Sequence, residues 1–159
     1  MSGRRLKVEL QRRVRAWAPA PAQLARWARA ALGRRAMGCE LGVRVVGPAE
    51  SRRLNARYRG RDAPTNVLSF PPAPLPATGT AVTRPLGDLV ICPRVLRGEA
   101  RARALSLEAH WAHLVVHGTL HLIGYDHERA ADARRMERRE ISVLRGLGFS
   151  NPYRRAVKP

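Results

Sequence analysis

Cysteine is scarce in this chain. Cys39 and Cys92 are the only two, far apart and part of no CxxC motif, so no disulfide framework can be read from them. The opening residues lack the charged-then-apolar pattern of a secretory signal, and together with the cysteine usage this leads us to expect a reducing, cytoplasmic setting. No uninterrupted apolar run approaches the ~20 residues of a membrane span, so no membrane partner is expected. Aromatic residues are only 5% of the chain, too few for base stacking to carry an affinity for nucleic acid. Acids are sparse as well, with 12 Asp plus Glu against 30 Lys plus Arg, a formal charge of +18. Lysine itself is nearly absent, found at Lys7 and Lys158 alone, so the excess is arginine. Such a field attracts polyanions, and the planar guanidinium fork suits phosphate better than an ammonium does. The competing explanation is coding bias, since much of the arginine sits on helix faces and tails.

The 159 residues have the length of one domain, large enough to bury a core without disulfide staples, and we expect a single domain over residues 1–159. Leu6, Val8 and Leu10 alternate as in an edge strand. Pro21 opens an amphipathic helix carrying Leu24, Trp27, Ala28, Ala31 and Leu32, which Gly38 is expected to close. Leu41 to Val46 reads as a strand, and Pro48 to Tyr58 as a helix stopped by Gly60. Val67 to Phe70 is a further strand. The prolines from Pro71 to Pro85 predict a mobile surface loop. Asp88 to Cys92 then forms a short strand, and Pro93 starts a helix reaching about Arg103. Ser106 is placed as the N-cap of a long helix, with Glu108 in its first turn and Leu107, Trp111, Leu114 and Leu122 on one face. A last helix, from about Ala131 to Leu147, turns Met136, Ile141, Leu144 and Leu147 inward, and the tail from Asn151 to Pro159 is expected to be loose apart from Tyr153. Strands alternating with helices in so short a chain point to a small mixed sheet backed by helices. Their order cannot be read.

The richest stretch is HGTLHLIGYDH, from His117 to His127. His117 and His121 are four apart, so on a helix they share one face, one above the other. Gly124 can take a positive φ, end the helix and turn the chain so that His127 reaches the same point. Three imidazoles then leave a fourth position on a tetrahedral ion for water, the mark of a catalytic zinc site. The spacing also describes the long zinc-protease motif, except that Gly118 stands where a protease keeps its general base Glu. His110 and His113 fall on the same helix face, and His113 with His117 forms a rival pair. We favour His117, His121 and His127 because only that set uses the Gly124 turn. His110 and His113 are then supporting, substrate-facing or structural, and Asp126 either orients a histidine, moves a proton or is a solvated residue of the turn.

Three blocks resemble the YbeY endoribonuclease family of bacterial ribosomal-RNA maturation factors: LNARYRGRDAPTNVLSFP from Leu54 to Pro71, LGDLVICP from Leu86 to Pro93, and LEAHWAHLVVHGTLHLIGYDH from Leu107 to His127. The resemblance implies an α+β fold with a four-stranded sheet, the metal-binding histidines lying on a central helix and the turn after it. It also implies a cytoplasmic, zinc-dependent endoribonuclease, specific for single strands, that matures the 3′ end of 16S rRNA and serves ribosome quality control. Its partners would be single-stranded RNA, ribosomal RNA and the small ribosomal subunit, rather than DNA. The family's metal ligands fall on His117, His121 and His127, with one zinc per chain, and its functional Arg on Arg59. From its position alone, Arg59 is equally an arginine favoured by the dipole of a helix C-terminus. Asn66 stands where many members carry Asp, so no carboxylate is available there. Two other classes fit parts of the pattern: a non-catalytic ribosome-assembly factor with a structural zinc, which needs a fourth protein ligand, and a zinc peptidase, which does not explain Gly118 or the charge.

Overall fold

A computed structural model describes residues 5–74 and 83–154. Four strands form one mixed sheet in the order β1-β2-β4-β3. β1 (Lys7–Arg12) runs parallel to β2 (Cys39–Val45), and β2 parallel to β4 (Arg84–Ile91), whereas β3 (Val67–Phe70) closes the sheet antiparallel to β4. Five helices complete the α+β architecture: α1 (Pro21–Leu32), α2 (Pro48–Arg59), α3 (Pro93–Ala102), α4 (Leu107–Leu122) and α5 (Ala130–Gly146).

The strands have two different faces, because successive side chains point opposite ways. Leu41, Val43, Leu89 and Ile91 enter the main core with Trp27 of α1, Trp111 and Leu120 of α4, and Met136 and Leu144 of α5. Val46, Leu68, Val90 and Cys92 point to the other face, under Leu54 of α2 and Val95 of α3. Helix α4 lies against β3 and β4 and touches α1, α3 and α5. A helix so enclosed must be apolar nearly all round, and Trp111, Ala112, Val115, Val116 and Leu120 are fully buried. Its start is secured by Ser106, whose hydroxyl accepts the Ala109 N–H at 3.1 Å.

Two boundaries differ from those the sequence predicts. Helix α1 ends at Leu32 rather than near Gly38, because Gly33 takes φ +60° and its N–H returns to the Arg29 carbonyl; a short 3-10 turn, Gly33–Ala36, follows. Strand β4 begins at Arg84, inside the expected proline-rich loop. Pro85 is tolerated because it lies beyond the end of β3, where β4 has only β2 beside it and a missing N–H breaks no ladder on the open side. Of the loop expected over residues 71–85, residues 75–82 lie outside the described residues, as do residues 155–159 of the tail. Within 151–154 the chain is tied down: Pro152 is buried and its carbonyl accepts Arg103 Nη2 at 2.5 Å.

Candidate metal centre

Helix α4 carries His110, His113, His117 and His121, and the turn after it carries His127. Gly124 makes that turn with φ +103°, while the Gly124 and Tyr125 amides return to the His121 and Leu120 carbonyls. Asp126 finishes it, its Oδ1 accepting the His127 amide at 2.7 Å. The same oxygen accepts the Glu128 amide at 3.3 Å.

One ring nitrogen from each of His117, His121 and His127 lies within 4.8 Å of the others. His127 Nδ1 is 3.0 Å from His121 Nε2, close to the separation of about 3.3 Å for two nitrogens each ~2.0–2.1 Å from one tetrahedral ion. Burial, reinforced by the neighbouring His117 and His127, pushes the His121 imidazole down to about 4, so its ring is neutral and keeps a lone pair at neutral pH. Three imidazoles converging from a helix and a turn form a donor set that fits a divalent metal. Among the described residues, no fourth His, Cys, Asp or Glu joins this group.

The three rings open onto a groove of about 930 Å³ whose wall includes Arg59, Asn66 and Ser69. Arg59 is the last residue of α2, and Gly60 closes that helix in the left-handed conformation. Its guanidinium lies 5.6 Å from the Phe70 ring and donates to the carbonyls of Ser69 (3.0 Å) and Tyr58 (3.2 Å). Fold and turn thus bring Arg59 to the histidines, some sixty residues away in sequence.

Gly118 packs on the sheet. A Cβ there would stand 2.7 Å from Leu89 Cδ2 and 3.2 Å from Ser69 Oγ, which itself donates to the Gly118 carbonyl at 3.1 Å. The position that holds a Glu in zinc peptidases is here occupied by contact between helix and sheet.

The profile of the endoribonuclease YbeY family matches residues 10–148. The chain belongs to the YbeY endoribonuclease family. A relative from Alkalilimnicola ehrlichii, named endoribonuclease YbeY, is 53% identical over 142 residues, covering 88% of this chain and 85% of its own. The fold is also that of the solution structure of TM1509 from Thermotoga maritima, with a TM-score of 0.53 at 23% identity, over 94% of this chain and 99% of the other.

The remaining histidines have partners that sequence spacing did not reveal. His110 Nε2 meets Glu99 Oε1 at 3.0 Å, and Asn66 Nδ2 donates to the same carboxylate at 3.0 and 3.2 Å. Burial outweighs Glu99 and lowers the His110 pKa. An Asp at position 66 would set a second carboxylate against Glu99, whereas the amide donates to it. His113 and His117 both meet Glu140 of α5, which the sequence reading missed. A signal was present: Met136, Glu140, Val143 and Leu144 share one helical stripe, and an acid on an apolar stripe needs an explanation. Burial opposes the charge on Glu140, but hydrogen bonds from His113, His117 and Tyr153 outweigh it and hold the carboxyl at about 2.

Proposed function

We propose that this chain is a zinc-dependent endoribonuclease that cuts single-stranded RNA in the cytoplasm and acts on 16S rRNA, in maturation of its 3′ end and in ribosome quality control. The observation that carries the reading is the convergence of His117, His121 and His127 beside Arg59 on one open groove, in a chain of this family. The charge of +18 supports a polyanionic substrate.

In this reading His117, His121 and His127 hold one zinc ion per chain. When bound, zinc lowers the pKa of water toward ~7 and polarises a phosphoryl oxygen. The groove seats the RNA backbone against that position. Arg59 turns its fork from the Ser69 and Tyr58 carbonyls to the phosphate, where charge gathers in the transition state. No carboxylate follows His117 on α4, where Gly118 packs on the sheet. A structural zinc would require a fourth protein ligand, and none is grouped with the three histidines among the described residues.

Incubation of the full chain with small-subunit ribosomal RNA, with and without a chelator, tests the proposal. Cleavage in unpaired regions that stops on chelation and returns with zinc is expected. Cleavage unaffected by chelation would refute the metal dependence, and cleavage absent from metal-loaded protein would leave the non-catalytic assembly-factor reading instead.

A further inference from the structure

Behind His117, on the side away from the groove, lies a carboxylate with no access to water. Glu140 is fully buried, and the Nδ1 of His117 lies 2.5 Å from its Oε1. Its Oε2 meets His113 Nε2 at 2.9 Å and accepts the phenol of Tyr153. A charge this deep is costly unless donors surround it. Here the donors come from two turns of α4 and from the C-terminal segment. That segment is anchored by the buried Pro152, by the Arg103 contact to the Pro152 carbonyl at 2.5 Å, and by the Tyr153 amide on Asn151 Oδ1 at 2.8 Å.

His113, His117 and Glu140 also have ligand atoms within 4.8 Å of one another. Each Glu140 oxygen is, however, paired with its own imidazole, Oε1 with His117 Nδ1 and Oε2 with His113 Nε2 at 2.9 Å, the pattern of hydrogen bonds to a carboxylate. A proton on Nδ1 of His117 fixes the neutral tautomer whose lone pair is on Nε2.

We propose that Glu140 is a positioning residue that fixes His117 as the Nδ1–H tautomer with Nε2 turned to the metal, and that Tyr153 and His113 hold Glu140 in place. The C-terminal turn is therefore part of the metal centre, although it lies outside residues 10–148 matched by the family profile. The inference rests on the zinc reading above and adds residues that the reading does not use.

The full-length chain and its Glu140→Gln and Tyr153→Phe variants are titrated with zinc against a chromophoric chelator, and the His117 tautomer of the metal-free proteins is read by ¹⁵N NMR. The parent should show Nδ1–H at His117. Glu140→Gln should weaken zinc binding by roughly 10–100-fold, and Tyr153→Phe, which keeps the ring packing, by a smaller but measurable factor. A merely structural carboxylate would lower the denaturation midpoint and leave the zinc affinity of the folded protein unchanged. Should Glu140→Gln fail to fold, Tyr153→Phe decides the matter alone. Parental zinc affinity in the folded variants, an Nε2–H tautomer in the parent, or a second zinc lost on His113→Ala would each overturn the proposal. A parent that binds no zinc would instead sink the zinc reading itself.

Discussion

Replacing Gly124 by Ala isolates the contribution of the turn to the third ligand. The residue has φ +103°, and an added Cβ meets nothing within 4 Å, so the penalty is torsional rather than steric. Holding a non-glycine residue in such a conformation costs about 1–3 kcal/mol, and 1.4 kcal/mol is a factor of ten in a binding constant. If the turn keeps its shape in the metal-free variant, the strain appears as lost stability. If the turn relaxes, His127 swings from the other two rings and the strain appears on binding, as zinc affinity weaker by roughly 5- to 150-fold. Denaturant unfolding of the metal-free protein and zinc competition together capture both outcomes, and their losses should sum to about 1–3 kcal/mol. A variant within about 0.5 kcal/mol of the parent in both measurements would refute the argument that this turn delivers His127.

Arg59→Lys keeps the charge but loses the bidentate fork, and should slow RNA cleavage on the order of 100-fold while zinc content and unfolding stay parental; near-parental cleavage would return Arg59 to a helix-end role, which Lys fills nearly as well. Metal-free protein should lose stability as pH falls from ~6.5 toward 4. The unfolded chain protonates His121 first, near 6.5, while the folded chain resists until about 4. Below ~4.5 Glu140 adds to the loss, since its folded value of about 2 lies under the unfolded one, so a denaturation midpoint unchanged between pH 7 and 4 would contradict both assignments. Binding of unpaired RNA should weaken with a slope near −0.7 in log K against log salt for each phosphate neutralised, and a flat salt dependence would remove the polyanion reading of the charge.

The parts of the fold legible in the sequence are those with local signals. Helix α2 has Pro48 at its start and Gly60 at its end, and α4 has Ser106 as its cap, so both were placed nearly to the residue. Where one glycine or proline has two uses, the reading slipped: Gly33 ended α1 before Gly38 could, and Pro85 entered a strand whose other edge is open. Strand order stayed hidden because parallel pairing through crossovers leaves no local trace. The histidine triplet was visible because its members share a helix and a turn, whereas the Asn66, Glu99 and His110 cluster and the contacts of Glu140 join residues from separate elements. Such contacts have no spacing to betray them. Glu140 is masked by its neighbours: Ile141 and Leu147 suggest a different inner face of α5, yet both are only half-buried.

Gly118 shows how far apart two chemistries with one ligand pattern can be. Its Cβ position belongs to Leu89, a fully buried residue of β4. A glutamate introduced there would first have to displace the buried Leu89 side chain, so the substitution breaks a packed contact before it supplies a base. A peptidase presents the residue after its first histidine to the same side of the helix, so it needs open space where this chain has Leu89 and Ser69. Packing of helix on sheet thus shuts out, at Gly118, the carboxylate base that the peptidase pattern carries.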